Sequence, residues 1–302
     1  MDALHQLGSE PADGRPTGTD EIVRLDHGGL AALPEIVWRT STLRMLSAGH
    51  NRLTELPAEI ADLQALRGLF VHYNALHELP DAIGRLRELL VLDVAGNQLS
   101  ALPESLGALH RLEFLYAHTN RLTAVEPGVR ALGSLRYLNL DRNELAELDA
   151  GISALVALEE LRVQENHLER VTDEIGRLTR LRELHLAGNR LTELPASIGR
   201  LAALRTLNLQ RNRIARLPDE VQALGELREL DLRENHLSEL PTGITRLRNL
   251  RRLDLRSNRL TTPPSAVREM DSLERLDLRW NSMLRPPAWL DELRERGCTV
   301  YV

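Results

Sequence analysis

Asparagine recurs with a fixed period along this chain. Asn51, Asn74, Asn97, Asn120, Asn143, Asn166, Asn189, Asn212, Asn235, Asn258 and Asn281 lie 23 residues apart without a slip, and Gly28 holds the same phase in a degenerate first unit. A constant period of this size requires a stack of similar units, each built like the last.

Numbered with asparagine ninth, each unit places apolar residues at positions 1, 4, 6, 11, 14, 18 and 21. In the unit opening at Leu181 these are Leu181, Leu184, Leu186, Leu191, Leu194, Ile198 and Leu201. Positions 4 and 6 alternate with polar neighbours, the pattern of a short strand with one buried face. The later positions suit a turn and an irregular or briefly helical return. Proline at position 15 (Pro57, Pro80, Pro103, Pro195, Pro218 and Pro241) stiffens that return. One unit cannot bury its leucines alone, so stability comes from stacking on neighbours. The return is bulkier than the strand, so the stack is expected to curve with the strands inside. An Asn amide offers two donors and an acceptor, enough to satisfy backbone groups of its own and an adjacent turn. The asparagines are therefore expected to hold the fold and not to bind a partner.

Leu181 to Ala203, "LRELHLAGNRLTELPASIGRLAA", carries the full form LxxLxLxxNxLxxLPxxIxxLxx. This pattern closely resembles the leucine-rich repeat family, over about residues 20–302. The LPxxI form is similar to that of intracellular members, including Ras-group scaffolds and many bacterial proteins. The resemblance implies an α/β leucine-rich repeat solenoid. It would be a curved horseshoe with a parallel β-sheet on the concave face and irregular or short helical segments on the convex face. It also implies protein binding on the concave face. Residues 1–19, rich in Gly, Pro and polar residues, are expected to be a disordered leader. Residues 20–302 form one repeat domain of about twelve units. Three central units replace the LP pair with Val125-Glu126, Leu148-Asp149 and Val171-Thr172, so their outer face is expected to be looser or to dock something different. Register breaks after Pro287. A C-terminal cap over about 284–302 is expected, with Trp289, Leu290 and Leu293 on a short helix, "CTVYV" as a last strand and Cys298 buried.

Composition narrows the function classes. A formal charge of −6 disfavours nucleic acid, which needs a basic face. No stretch approaches the ~20 apolar residues of a transmembrane helix. One cysteine cannot form an intramolecular disulfide, which favours a reducing, cytoplasmic setting. All 38 basic residues are arginine. High-GC codon usage explains that, and so does avoidance of lysine modification. There is no G-x-S-x-G, P-loop, H-E-x-x-H or CxxC pair, so no enzyme, cofactor or metal is expected. His50, His72 and His118 lie on different rungs and complete no zinc set.

Positions 3, 5, 7 and 8 are free of the core and carry the functional information. Five of the nine aromatics fall there in four consecutive units: Phe70, Tyr73, Phe114, Tyr116 and Tyr137. His72, His118 and Asp93 join them, with Gly68 and Gly96 leaving room beside the rings. Protein interfaces favour large aromatic anchors ringed by polar groups. A sugar platform is a variant of the same reading, and simple strand preference is the structural alternative. A second, polar strip comprises Asp231, Arg233, Asp254, Arg256, Asp277 and Arg279, with Arg252 and Arg275 beside it and Trp280 at its end. It reads as a self-compensating surface or as a docking strip for a charged partner. The expected protein is a monomeric, non-enzymatic interaction module or scaffold with a protein partner and no nucleic acid or membrane. The alternative is a secreted bacterial effector or regulator acting on host signalling through a small GTPase or the ubiquitin system.

Overall fold

The computed structural model describes residues 21–282 and 287–302. The leader expected at residues 1–19 and the start of the cap lie outside the described residues. The chain divides into two compact units, Met1–Glu144 and Leu145–Val302. Both are built from the 23-residue repeat.

In the N-terminal unit the strands are β1 (Ile22–Arg24), β2 (Met45–Ser47), β3 (Gly68–Phe70), β4 (Val91–Asp93), β5 (Phe114–Tyr116) and β6 (Tyr137–Asn139). They pair parallel in chain order, each residue opposite its counterpart one repeat away. The C-terminal unit repeats this with β8 (Glu160–Arg162), β10 (Glu183–His185), β11 (Thr206–Asn208), β12 (Glu229–Asp231), β13 (Arg252–Asp254), β14 (Arg275–Asp277) and β15 (Thr299–Tyr301). Position 4 is buried in every strand of the repeat; Leu92, Leu115 and Leu138 are fully enclosed. Burying such a leucine contributes about 1.5–3 kcal/mol. The core is thus a pile of leucine layers between the strands and the returns.

The returns are 3-10 turns that start after the position-15 prolines: Pro57, Pro80, Pro103, Pro195, Pro218 and Pro241 are their N-cap residues. The fixed φ of proline sets the extended entry, and its missing N–H has no partner to lose. Where the proline is absent the chain finds other solutions. Asp149 and Thr172 cap their turns by accepting from the Gly151 and Glu174 N–H groups. After Glu126, Pro127 opens a short α-helix, α1 (Pro127–Arg130). β7 (Glu147–Leu148) pairs with β9 (Arg170–Val171), and the Thr172 N–H donates to the Leu148 carbonyl at 3.2 Å. A proline at that position has no N–H to give. The outer face here is therefore not looser: losing the LP pair adds a second, two-stranded ladder.

The described C-terminal end, residues 287–302, departs from the repeat. Helix α2 (Trp289–Glu295) buries Leu290 and Leu293, β15 pairs with β14, and Cys298 is buried. Burial pushes the Cys298 thiol up, so it is a poor thiolate.

The asparagine ladder runs through both units. Asn97 Nδ2 donates to the carbonyls of Val94 (2.9 Å) and Val71 (3.0 Å), and its Oδ1 accepts from the Leu76 N–H at 3.0 Å. Asn120, Asn189, Asn212, Asn235 and Asn258 repeat the pattern. Each amide stitches one turn to the one before. The residue preceding each asparagine takes a left-handed backbone, as at His50 (φ 53°), Tyr73 (φ 50°) and Trp280 (φ 59°).

Candidate functional site

The strand face of the N-terminal unit carries a continuous apolar strip. Its backbone is the position-3 column: Ile22, Met45, Gly68, Val91, Phe114 and Tyr137, on six consecutive rungs. In the C-terminal unit the same column reads Glu160, Glu183, Thr206, Glu229, Arg252 and Arg275. Met45, Phe70 and Val91 are 6%, 7% and 5% exposed and pack as one cluster, with Ile22, Leu90, Phe114 and Tyr116 partly buried against it. The position-5 side chain Phe70 clusters with the position-3 side chains Met45 and Val91 of the two neighbouring rungs. Phe70 is thus not an open anchor, as its position suggested. It forms the floor on which the more accessible rings rest, because its neighbours are apolar and a large ring buries itself among them.

Phe114, Tyr116 and Tyr137 form the accessible end. Tyr116 and Tyr137 have ring centroids 4.8 Å apart, and Phe114 and Tyr137 6.4 Å apart. These tilted pairs fit the favoured aromatic range. Tyr73 is displaced to the other edge of the strand face. Its ring stacks on His50 at 4.8 Å, and His50 stacks on His27 at 4.4 Å, giving an exposed three-ring ladder at position 8. Gly96 continues that column, and a Cβ there would lie 2.5 Å from the Tyr73 ring. The space that Gly96 leaves is filled by that ring.

Asp93 and His72 sit between the two ring groups. His72 Nδ1 lies 3.4 Å from Asp93 Oδ2, without hydrogen-bond geometry. Burial raises the Asp93 carboxyl above its ordinary value, although the Ala95 N–H and the nearby His72 and His118 pull it down. Burial likewise holds His118 below the usual histidine range, only partly offset by Asp93 and Asp141. The structure brings Phe70, Phe114, Tyr116 and Tyr137 together; Tyr73, His72 and Asp93 form the polar flank. His50 and His72 meet edge to face at 5.2 Å.

The polar strip of the C-terminal unit is largely self-compensating. Arg256 makes a bidentate pair with Asp254, and Arg279 with Asp277, each two residues on along one rung. Arg233 Nε approaches Asp231 to 3.2 Å. Asp277 is fully buried, not a surface charge. Burial opposes its ionisation, but the bonds from Arg279 and the charges of Arg256 and Arg279 outweigh that and hold it below the usual carboxylate range. Trp280 is 70% exposed, with Arg279 over its ring at 5.3 Å. An open hollow of about 620 Å³ lies over the strip, lined by charged groups including Glu229, Asp231, Arg252 and Arg256.

Asp231 differs from its neighbours: burial pushes it up to about 6, against the pull of the Arg233 N–H and guanidinium. A carboxylate with a raised folded pKa destabilises the fold when ionised. That penalty is present above about pH 6 and disappears as pH falls through the folded value towards 3.8. Asp231→Asn is expected to stabilise the protein by about 2 kcal/mol at pH 8 and by about a third of that at pH 4.5, in paired urea titrations. Equal effects at both pH values would refute the raised pKa.

Comparison with known proteins adds the family. The model of the "Leucine-rich repeat region" matches residues 34–124 and 196–295, and that of the "Leucine rich repeat" matches residues 156–214. The chain belongs to the leucine-rich repeat family. Its fold is typical of protein–protein interaction modules. No curated protein matches the sequence. Among solved structures, a Leptospira interrogans leucine-rich repeat protein is 27% identical, with TM-score 0.66, over 95% of this chain and 97% of that one. The plant peptide hormone receptor RGFR1, in complex with RGF2, is 26% identical with TM-score 0.71, over 83% of this chain and 46% of that one. The ectodomain of the receptor kinase GASSHO1/SCHENGEN3 from Arabidopsis thaliana, in complex with CASPARIAN STRIP INTEGRITY FACTOR 2, is 28% identical with TM-score 0.68, over 83% of this chain and 34% of that one. This chain thus spans nearly the whole Leptospira protein but less than half of either plant receptor. Among the described residues no helix is long and apolar enough to cross a membrane.

Sequence reasoning missed Ile22, Met45 and Val91, which do not stand out as aromatics do. The signal was in the column: position 3 is apolar through six units and then polar or charged. It also missed the stacking of His27, His50 and Tyr73.

Proposed function

We propose that this leucine-rich repeat chain is a non-enzymatic binding module that takes an apolar polypeptide segment on the strand face of its N-terminal unit. The observation that carries this is the position-3 strip, apolar on six successive rungs and flanked by Phe70 and Tyr116. In the C-terminal unit the same scaffold holds charges in this column. Met45, Phe70 and Val91 cover one another, and Ile22, Phe114, Tyr116 and Tyr137 stay partly exposed around them. Apolar side chains left partly open in one contiguous group mark interaction sites. The aromatic content and the polar flank of His72 and Asp93 match the anatomy of a protein interface. RGFR1 with RGF2, a complex of a related fold, supports a polypeptide as the ligand class. The buried Cys298 thiol is consistent with work in the reducing cytoplasm.

The test exploits the missing lysines, since side-chain amine crosslinkers find no handle on this chain. A photoreactive phenylalanine is placed at Ser47 or Tyr73, on the strand face, or at Glu59 or Glu104, on the returns. Illumination in the native cell should give a partner adduct from Ser47 and Tyr73 and none from Glu59 and Glu104. Adducts confined to the return positions would overturn the assignment.

A further inference from the structure

Glu160, Glu183 and His185 form a cluster outside the apolar site. Glu160 opens β8 and Glu183 opens β10; the two stand directly opposite in the parallel register. His185 closes β10, its side chain 12% exposed. One donor atom from each of the three residues lies within 4.8 Å of the other two. Among the described residues this is the one such group of three.

Two features distinguish it from a solvated acidic patch. Like charges directly opposite across a strand pair are unfavourable. At position 3 in β12 and β13, the register instead pairs Glu229 with Arg252, bonded at 2.7 Å. Here the register sets Glu160 opposite Glu183, with Thr206 on the next rung, and Arg162 bonds Glu160 through Nε. Second, His185 Nε2 and Glu183 Oε2 are 3.1 Å apart. Zinc binds imidazole nitrogen and carboxylate oxygen at about 2.0–2.2 Å, so two such ligands on one ion sit roughly 3–3.5 Å apart. The imidazole and carboxylate are already at ligand spacing, and Glu160 needs only a side-chain rotation to join them. The backbone under all three is paired strand, so the frame is rigid.

We propose that Glu160, Glu183 and His185 form a site for a zinc-class divalent cation on the strand face of the C-terminal unit. Two carboxylates and one imidazole suit a borderline cation more than calcium or magnesium, which take all-oxygen shells. Three protein ligands leave a coordination position open to water or to a partner's side chain. Binding sets the ion between His185 Nε2 and the facing carboxylates and relieves the carboxylate repulsion. Arg162 competes with the cation for Glu160.

The experiment is calorimetric titration of the EDTA-treated full-length chain with zinc chloride. The expected result is one ion per chain at micromolar affinity. His185→Ala and Glu183→Gln each lower that affinity at least tenfold, and Arg162→Gln raises it severalfold by removing the competing cation. His50→Ala, which alters the other histidine cluster, leaves it unchanged. Circular dichroism melts establish that each variant is folded, and Glu183→Gln keeps the shape of the side chain it replaces. Absence of zinc binding below millimolar concentration overturns the proposal. So does binding that survives His185→Ala and Glu183→Gln, or binding lost in His50→Ala.

Discussion

Asn97→Ala is expected to lower the free energy of unfolding by about 2–3 kcal/mol. The substitution strips the Leu76 N–H of its acceptor and takes one of two amide donors from each of the Val71 and Val94 carbonyls, which stay bonded to Asn74 and Asn120. Those groups lie in the turn between rungs, where Asn97 is itself 8% exposed. A buried donor stripped of its partner costs about 1–3 kcal/mol, and the two lost bonds to carbonyls that keep another donor add a smaller amount. The effect should spread, because a repeat is stable only through its neighbours. Urea unfolding of wild type and variant measures it. Asn139→Ala, at position 5 of the strand face, is the control: its Oδ1 accepts the Asp141 N–H two residues away and does not complete the ladder. A loss below about 1 kcal/mol for Asn97→Ala would show that water replaces the amide and that the ladder is not what joins the rungs.

The repeat was legible in the sequence because every unit solves the same burial problem. Leucine at positions 1, 4, 6 and 11 and asparagine at position 9 follow from one strand, one turn and one shared core. The two-stranded β7–β9 ladder was not legible as such. The loss of proline at position 15 was visible, but its consequence depends on two adjacent units lacking it, so that Thr172 can reach Leu148. Proline in either place would remove a donor or enforce the ordinary return.

The candidate site was legible in part, and the failures have a common cause. Aromatic side chains announced Phe114, Tyr116 and Tyr137, and the structure groups them. Phe70 belongs to the same set by residue type, yet its ring is buried, because Met45 and Val91 on the two adjacent rungs pack with it. Which ring is floor and which is handle depends on the neighbouring rungs, 23 residues away in sequence and adjacent in space. Asp277 shows the same effect with charge. As one of three equivalent aspartates it resembles Asp231 and Asp254. Arg256 and Arg279 hold it ionised and buried, while Asp231 is pushed up to about 6. Reading each column along the stack recovers part of this information; reading each unit alone does not.

Phe114→Ala and Tyr116→Ala are each expected to weaken capture of the partner polypeptide by about thirtyfold, corresponding to ~2 kcal/mol, the scale of an interface anchor. Both side chains are partly exposed, on strand β5, and rest against the buried Met45–Phe70–Val91 cluster. Truncation therefore removes area from the face a partner would cover while leaving the leucine core beneath it intact. Tyr116→Phe keeps the ring and should stay within about threefold of wild type if apolar area is what the partner reads. The measurement is affinity for the polypeptide recovered through Ser47 or Tyr73, with urea unfolding of each variant to separate lost binding from lost fold. Arg256→Ala, in the polar strip of the other unit, serves as the contrast and should change affinity little. The reverse outcome is equally readable. If Arg256→Ala abolishes capture while both β5 variants bind normally, the partner reads charge on the C-terminal unit, and the apolar strip is not its site.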